Sequence, residues 1–397
     1  MCKKKSILVV APYVTFPNEP GANRFITIVR LLSDSYDVVF LTSRFCHILK
    51  KHRTEEPKID NIKIILLDEP GYVSNVGFSR LFSHRVFCKN FELFLEENGS
   101  DFDLVYSAFP LIYTNFLLGK HKEEFGYKLV IDVQDIWPDS ITGPIPALSG
   151  RLGKIVLSPI NKYANRTYAK ADGLVAVSDT YLKKADVSNL PRDFKTVVYI
   201  GSDDINDNYN YKPELDLSKP LTATYIGTMA GSYDLATIIE AAALCKGKVN
   251  IKFIGAGPHE HSLKLLNKSL ENPVIFLGLL PYEKAMKVLA NSDVAINPIK
   301  TGAQQSITNK LSDYLSCGLP IVSCQKNREV MEMLALGGNI QYESGNAKSL
   351  SEKLLMLSKN RESLLDISNK NFGLAQKKFS RENSYLNITK LIDRVLS

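Results

Sequence analysis

No stretch of this 397-residue sequence approaches the ~20 consecutive apolar residues that a helix needs to cross a bilayer. The longest runs, SILVVAP from Ser6 and LPIVSC ending at Cys324, stop after six or seven residues. A spanning helix is therefore excluded. Lys3, Lys4 and Lys5 precede a run that breaks at Pro12, too short for a secretory leader, so a cytoplasmic protein is expected. The six cysteines are scattered, with no CxxC pair and no histidine at ligand spacing, which speaks against a zinc site or a disulfide framework. Basic and aromatic residues do not interleave in the manner of a nucleic-acid surface, so no nucleic-acid partner is expected. GxGxxG is also missing: the first apolar strand runs into APYVTFPNEPGANRF with a single glycine, Gly21, and the second ends at Leu41-Thr42-Ser43 without an acidic residue. Both absences disfavour a dinucleotide.

What is present is the composition of a globular protein, 45% apolar and 23% charged, with more length than one core needs. Short β-branched runs alternate with helical-period segments, the pattern of parallel sheets wound by helices. Strands are expected near 6–11, 37–42, 62–67, 103–107, 128–133, 173–177 and 196–200. Residues 202–219 break all periodicity with Asp, Asn and Pro and read as a linker. Strands then resume near 221–226, 249–254, 273–277, 293–297 and 319–323, with helices at 233–246, 258–269, 282–291, 308–317, 326–335 and 347–358. The expected division is an N-terminal domain over 1–201, a second domain over 220–378, and a closing helix over 379–397 that crosses back. Such sheets deliver their loops to one edge, so a cleft between the domains is the default ligand site.

The net charge of +7 is uneven, with seven Lys/Arg against three Asp/Glu in residues 1–50 and nine against four in 151–200. Solvated faces account for such blocks, and an anionic membrane surface is the alternative. The segment Val73–Phe94 mixes phenylalanines with Arg80, Arg85 and Lys89; it reads either as a helix packed on the sheet or as one lying at a membrane interface. Of the histidines, His259 and His261 form an HxH pair best explained as an exposed helical face.

The segment SITNKLSDYLSCGLPIV carries more chemistry. Ile307, Leu311, Tyr314 and Leu315 fall at helical spacing, Gly318 sits where a helix C-cap would, and Pro320 leads into a buried strand. Asp313 is a polar residue beside that apolar face. It is either a solvated surface group or a carboxylate that accepts both hydroxyls of a ribose. On the second reading the free N–H groups near Ser306, Ile307 and Thr308 receive a diphosphate, with Lys310 adding charge.

Asp313 through Pro320 resembles the "E-A-M-A-C-G-x-P" element of the retaining family 4 glycosyltransferases. Tyr225–Thr228, Ile254–Pro258, Phe276–Gly278, Ser292–Val294 and the closing FSRENSYLNITKL resemble that family's further motifs in order, and Pro20–Ala22, Ala171–Ser178 and Val198–Gly201 do so in the first half. The resemblance implies an α/β protein of the GT-B fold, two facing Rossmann-like doubly wound parallel-sheet domains with a cleft between them. LVIDVQDIWPDS, Leu129 to Ser140, is similar to the "D-V-Q-D-L-W-P-E" signature of bacterial colanic-acid, O-antigen and capsule enzymes. These attach a sugar to a lipid-linked oligosaccharide at the inner face of the cell membrane. The implied substrates are thus a nucleotide sugar, UDP-linked and with an N-acetylated hexosamine as one candidate, and a polyprenyl-diphosphate saccharide. No cofactor or metal is implied.

Carried onto this sequence, the family pattern assigns Gly21, Gly227, Thr228, Met229, Gly255, Gly278, Leu280, Lys300, Gln305, Ser306, Ile307, Thr308, Lys310 and Asp313 to the donor. Asn23, Arg24, Trp137 and Asp139 fall to the acceptor, and Gln134 and Asp135 to catalysis. Trp137 is equally readable as a packed loop anchor, and Asp135 as a structural cap. Two departures stand out. The loop GTMAGSYDL, Gly227 to Leu235, lacks the Arg and Lys with which many relatives neutralise the leaving diphosphate, so the amides of 227–229 and 306–308, with Lys300 or Lys310, are the expected substitutes. The first glutamate of the family's paired-acid motif is replaced by Gln305, which can bind sugar hydroxyls but cannot act as a base. A UDP-N-acetylglucosamine 2-epimerase and a non-catalytic nucleotide-sugar-binding subunit remain alternatives.

Overall fold

The computed structural model describes residues 4–17, 19, 24–74, 77–136, 151–202, 216–303 and 305–397, the side chains of 151–154 excepted. Gly21, Asn23, Trp137 and Asp139 lie outside this set, as does most of the expected linker. The described residues divide into two units, one within 4–136, 151–198 and 385–397, the other within 199–384.

The first unit is built on seven parallel strands in the spatial order Lys63–Leu67, Asp37–Ser43, Ser6–Val10, Leu104–Phe109, Lys128–Val133, Gly173–Ala176 and Lys195–Val197. Ile7, Leu8, Val9 and Val10 are all fully buried, as expected of a strand covered on both faces. The order reverses between Ser6–Val10 and Leu104–Phe109, which makes their carboxyl ends a topological switch point. Helix Phe78–Asn98 buries Phe87, Phe91 and Leu95 at helical spacing, while Phe78, Leu81 and Phe82 at its start are exposed. Beside it, Phe45–Cys46 and Lys51–His52 form a short hairpin that the sequence pattern did not announce.

The second unit carries six parallel strands in the order Val274–Phe276, Val249–Ile254, Leu221–Ile226, Val294–Asn297, Ile321–Ser323 and Ile340–Gln341. Its switch point lies between Leu221–Ile226 and Val294–Asn297. Ser292 and Asp293, part of one family-like motif, work structurally here: Asp293 Oδ2 accepts from Thr222 N at 2.7 Å, and the Ser292 and Thr224 hydroxyls meet at 2.7 Å.

The chain leaves the first unit after Val198 and rejoins it at Tyr385. Helix Leu386–Leu396 then buries Ile388, Leu391, Ile392 and Val395 among the first unit's strands. A Cβ placed on Gly173 would come within 3.0 Å of Leu391, so helix and strand are in direct contact. Ile392 is fully buried, and Ile392→Ala should destabilise the first unit by about 2–5 kcal/mol through lost contact and a residual cavity. Calorimetry should show that unit's melting transition lowered; an unshifted transition would mean the helix is not part of its core.

Candidate functional site

Two turns meet beside the switch point of the second unit. Gly227 follows strand Leu221–Ile226, and Gly255 follows Val249–Ile254. The Gly227 N–H donates to Ile254 O at 2.8 Å, and Met229 N–H to Ala256 O at 3.0 Å. The turns touch backbone to backbone, since a Cβ on Gly255 would lie 2.2 Å from Gly227 O, and Gly255 has φ +125°. A Cβ on Gly227 would lie 2.2 Å from Lys310 Cε, so the lysine's end is packed on this turn. Its ammonium sits 4.0 Å from the Tyr233 ring centroid and 5.9 Å from that of Tyr225, a position that favours a cation.

Lys310 belongs to helix Asn309–Ser316, capped by Thr308, whose hydroxyl accepts from Leu311 N at 3.4 Å. The helix itself does not consume the first amides of its N-terminus. One turn on, Asp313 Oδ1 accepts from Tyr282 OH at 2.9 Å. The carboxyl keeps partial solvent contact, yet the protein packed around it pushes its pKa up to about 7, against the lowering influence of Tyr282, Arg381 and Lys310. Tyr282 was not singled out by spacing or motif, and Arg381, inside the closing FSRENSYLNITKL, was given no role. Arg381 is 2% exposed and donates to Ile200 O at 3.0 Å, a fold contact between distant segments that no local pattern reveals.

The remaining donor candidates fall into groups. The loop at 305–306 is pinned by Gln325, whose Nε2 donates to Gln305 O at 2.8 Å and Ser306 O at 3.0 Å. Gln325 is itself held by Asn297 at 2.9 Å. Gln305 Oε1 is buried without a hydrogen-bond partner among the described residues. The Ser306 hydroxyl donates to Glu329 Oε2 at 3.1 Å, and Ile307 is buried in the core, so the side chains of both serve the fold. Gly278 O accepts from Gly255 N at 2.8 Å, Leu280 is half-buried, and Lys300 is exposed with its N–H on Ser232 O at 3.1 Å. The structure corrects one expectation: the amides of Gly227 and Met229 already have backbone partners. Of residues 227–229, only Thr228 keeps an N–H without one among the described residues.

In the first unit, a cavity of about 50 Å³ opens at the switch point, lined by Ala11, Pro12, Tyr13, Phe25, the segment 108–111 and Gln134. Gln134 Nε2 is buried and has no partner among the described residues. Asp135 is half-buried, its Oδ1 accepting from Ile136 N at 2.8 Å. A larger hollow of about 410 Å³ lies at the opposite, amino-end edge near Lys4, Tyr36 and Lys63, and holds none of the candidate residues.

Arg24 is found inside the protein. Expected on the acceptor, it is 3% exposed, 3.5 Å from the fully buried Asp132 and 3.2 Å from Val198 O, with its guanidinium 5.1 Å from the Tyr385 ring centroid. Tyr106 OH donates to the same Asp132 oxygen at 2.7 Å. Burial pushes the Asp132 carboxyl up, opposed by Arg24 and Tyr106. Among the described residues the Asp132 carboxyl is likewise closed off from solvent.

Residues 220–360 match the family model "Glycosyl transferases group 1". The second unit thus carries a glycosyltransferase domain. Solved structures align with it almost end to end. HepE of Anabaena, in complex with UDP and glucose, matches at 15% identity over 98% of this chain and 99% of its own, with TM-score 0.67. Sucrose-phosphate synthase from Thermosynechococcus elongatus matches at 11% identity over 99% of each chain, TM-score 0.74. The lipopolysaccharide outer core galactosyltransferase WaaB matches at 16% identity over 98% and 99%, TM-score 0.65. At such identities the likeness establishes the GT-B fold. No curated protein sequence matches the chain significantly.

Removing one member of a buried ion pair strands the other, at a cost of about 3–5 kcal/mol. Arg24→Ala should therefore lower the melting temperature of the protein markedly. Unchanged stability together with a raised acceptor KM would restore Arg24 to the acceptor site.

Proposed function

We propose that this protein moves a sugar from a UDP-linked donor to a lipid-linked saccharide, with retention of anomeric configuration, as a family 4 glycosyltransferase of cell-surface polysaccharide synthesis. The observation that carries the donor half is the convergence of Asp313, Lys310 and the Gly227 turn at the second unit's switch point. In this reading the Asp313 carboxylate accepts the ribose hydroxyls, and the first amides of helix Asn309–Ser316 and Lys310 face the diphosphate. Support comes from the solved relatives described with UDP and UDP-glucose.

As the anomeric C–O bond breaks, the leaving diphosphate gains negative charge, and the protein must already hold positive charge there. Lys310 supplies it from the helix, in place of the cations missing from the loop 227–235. Gln305 Oε1 accepts from a hydroxyl of the donor sugar, the partner its buried position lacks. In the first unit, Gln134 and Asp135 orient the acceptor, Asp135 through its carboxylate. The lipid-linked acceptor and contact with an anionic membrane rest on the resemblance of LVIDVQDIWPDS and on the exposed start of helix Phe78–Asn98.

UDP-glucose should raise the melting temperature, by about 2.7 kcal/mol of stabilisation at a hundredfold excess over Kd, where GDP-mannose and NAD do not. Because Asp313 titrates near 7, UDP-glucose should bind more tightly at pH 8 than at pH 6, and Asp313→Asn should abolish that dependence. Without ligand the sign reverses. A carboxyl whose folded pKa exceeds its unfolded value of ~3.9 lends stability that is complete below pH ~4 and is lost as pH rises through 7, so Asp313→Asn should also flatten this slope. Binding that ignores both pH and the substitution would remove the ribose from Asp313. Donor should be consumed when membrane extract supplies acceptor and persist in its absence; consumption of donor alone would refute transfer to a lipid-linked saccharide.

A further inference from the structure

Outside the pieces assigned so far, the first unit gathers a dense set of cations, histidines and tyrosines at the carboxyl edge of its sheet. Tyr13 follows strand Ser6–Val10, His47 and Lys50 lie in the turn beyond Asp37–Ser43, Tyr72 follows Lys63–Leu67, and Arg80 and His84 come from the first two turns of helix Phe78–Asn98. Tyr13 OH is hydrogen-bonded to His84 Nε2, and Tyr72 OH meets His47 Nδ1 at 2.6 Å. Lys50 Nζ lies 3.4 Å from His47 Nδ1, and Arg80 Nε donates to His84 Nε2 at 3.5 Å. Both cations rest on one ring: Lys50 Nζ is 4.6 Å, and the Arg80 guanidinium carbon 5.6 Å, from the Tyr72 centroid.

Burial and then Arg80 lower the Lys50 pKa, and burial followed by the nearby cations pushes His47 and His84 down to about 4, leaving both rings neutral near pH 7. The nearby carboxylate, Glu69, is 6% exposed and occupied from beneath by the hydroxyls of Ser43 and Ser83. The cluster thus sets two cations against a frame of neutral imidazoles and phenols, a setting suited to a phosphoryl group.

Its border is equally specific. Ile48 and Leu49, between the histidine and the lysine, are 54% and 45% exposed, and Phe78, Leu81 and Phe82, on either side of Arg80, are 91%, 62% and 61% exposed. A free anion has no use for such a rim, whereas a phosphorylated hydrocarbon chain matches both parts. We propose that Lys50 and Arg80, held in place by His47, His84, Tyr13 and Tyr72, receive the phosphoryl group of the lipid-linked acceptor, and that Ile48, Leu49, Phe78, Leu81 and Phe82 cover the first part of its lipid. This inference rests on the reading of the acceptor as lipid-linked.

The test is calorimetric titration of the whole protein, with saturating UDP to occupy the donor site, using farnesyl diphosphate and inorganic diphosphate as probes. Farnesyl diphosphate should bind at least tenfold more tightly. Lys50→Ala and Arg80→Ala should each weaken both probes about tenfold, with Arg80→Lys recovering part of the loss. Phe78→Ser with Phe82→Ser, at exposed positions that leave the core intact, should reduce farnesyl diphosphate to the level of the inorganic probe. UDP-glucose should shift the melting temperature of every variant as it does that of the wild type, so a lost donor response would count against the transferase reading and not against this one. Equal affinity for the two probes, no binding of either, or indifference to Lys50→Ala and Arg80→Ala in folded protein would overturn the proposal.

Discussion

Parallel strands impose the constraint on which everything else here depends. Within each unit every strand of the main sheet points the same way, so every segment leaving a carboxyl end emerges at one edge, and where the strand order reverses the adjacent loops part. The Gly227 and Gly255 turns, Lys310 and Asp313 gather at that edge of the second unit. The Gln134 cavity and the ring cluster around Tyr72 do so in the first. Chemistry that looks scattered along the sequence is concentrated by the direction of the strands.

Charge is handled in two ways. Arg24, Asp132 and Arg381 are sealed in protein, Arg24 beside Asp132 and Arg381 on Ile200 O. Their work is to hold distant segments of chain together. Lys310, Lys50 and Arg80 instead lie against aromatic faces with their ends at the carboxyl edge, a setting that stabilises a cation without neutralising it. In the proposed reaction only cations of this second kind meet phosphate.

The strand plan was legible because runs such as Ile7 to Val10 and Val249 to Ile254 are buried on both faces and bounded by turn residues, leaving few alternatives to a wound parallel sheet. The helix carrying Asp313 was legible from its apolar spacing and its glycine cap. The burial of Arg24 was not legible because it is decided by tertiary partners, here Asp132 on a strand far away in sequence, and no local pattern encodes them. The same reason hid Tyr282, Arg381 and Gln325. The amides of Gly227 and Met229 were misjudged because the neighbouring turn that satisfies them is a long-range contact. Helix Phe78–Asn98 lay between: its aromatic content was plain, but which phenylalanines faced the core depended on where the helix began.

Arg24 clasps Val198, the last residue before the chain leaves the first unit, and stacks against Tyr385, the first after its return. That clasp, and the four apolar residues of helix Leu386–Leu396 behind it, have a consequence for biosynthesis. During translation, residues 385–397 leave the ribosome after the entire second unit has emerged. The unit that is made first must therefore wait, with part of its hydrophobic interior uncovered, while the later one is already able to close, reversing the usual order in which nascent domains mature.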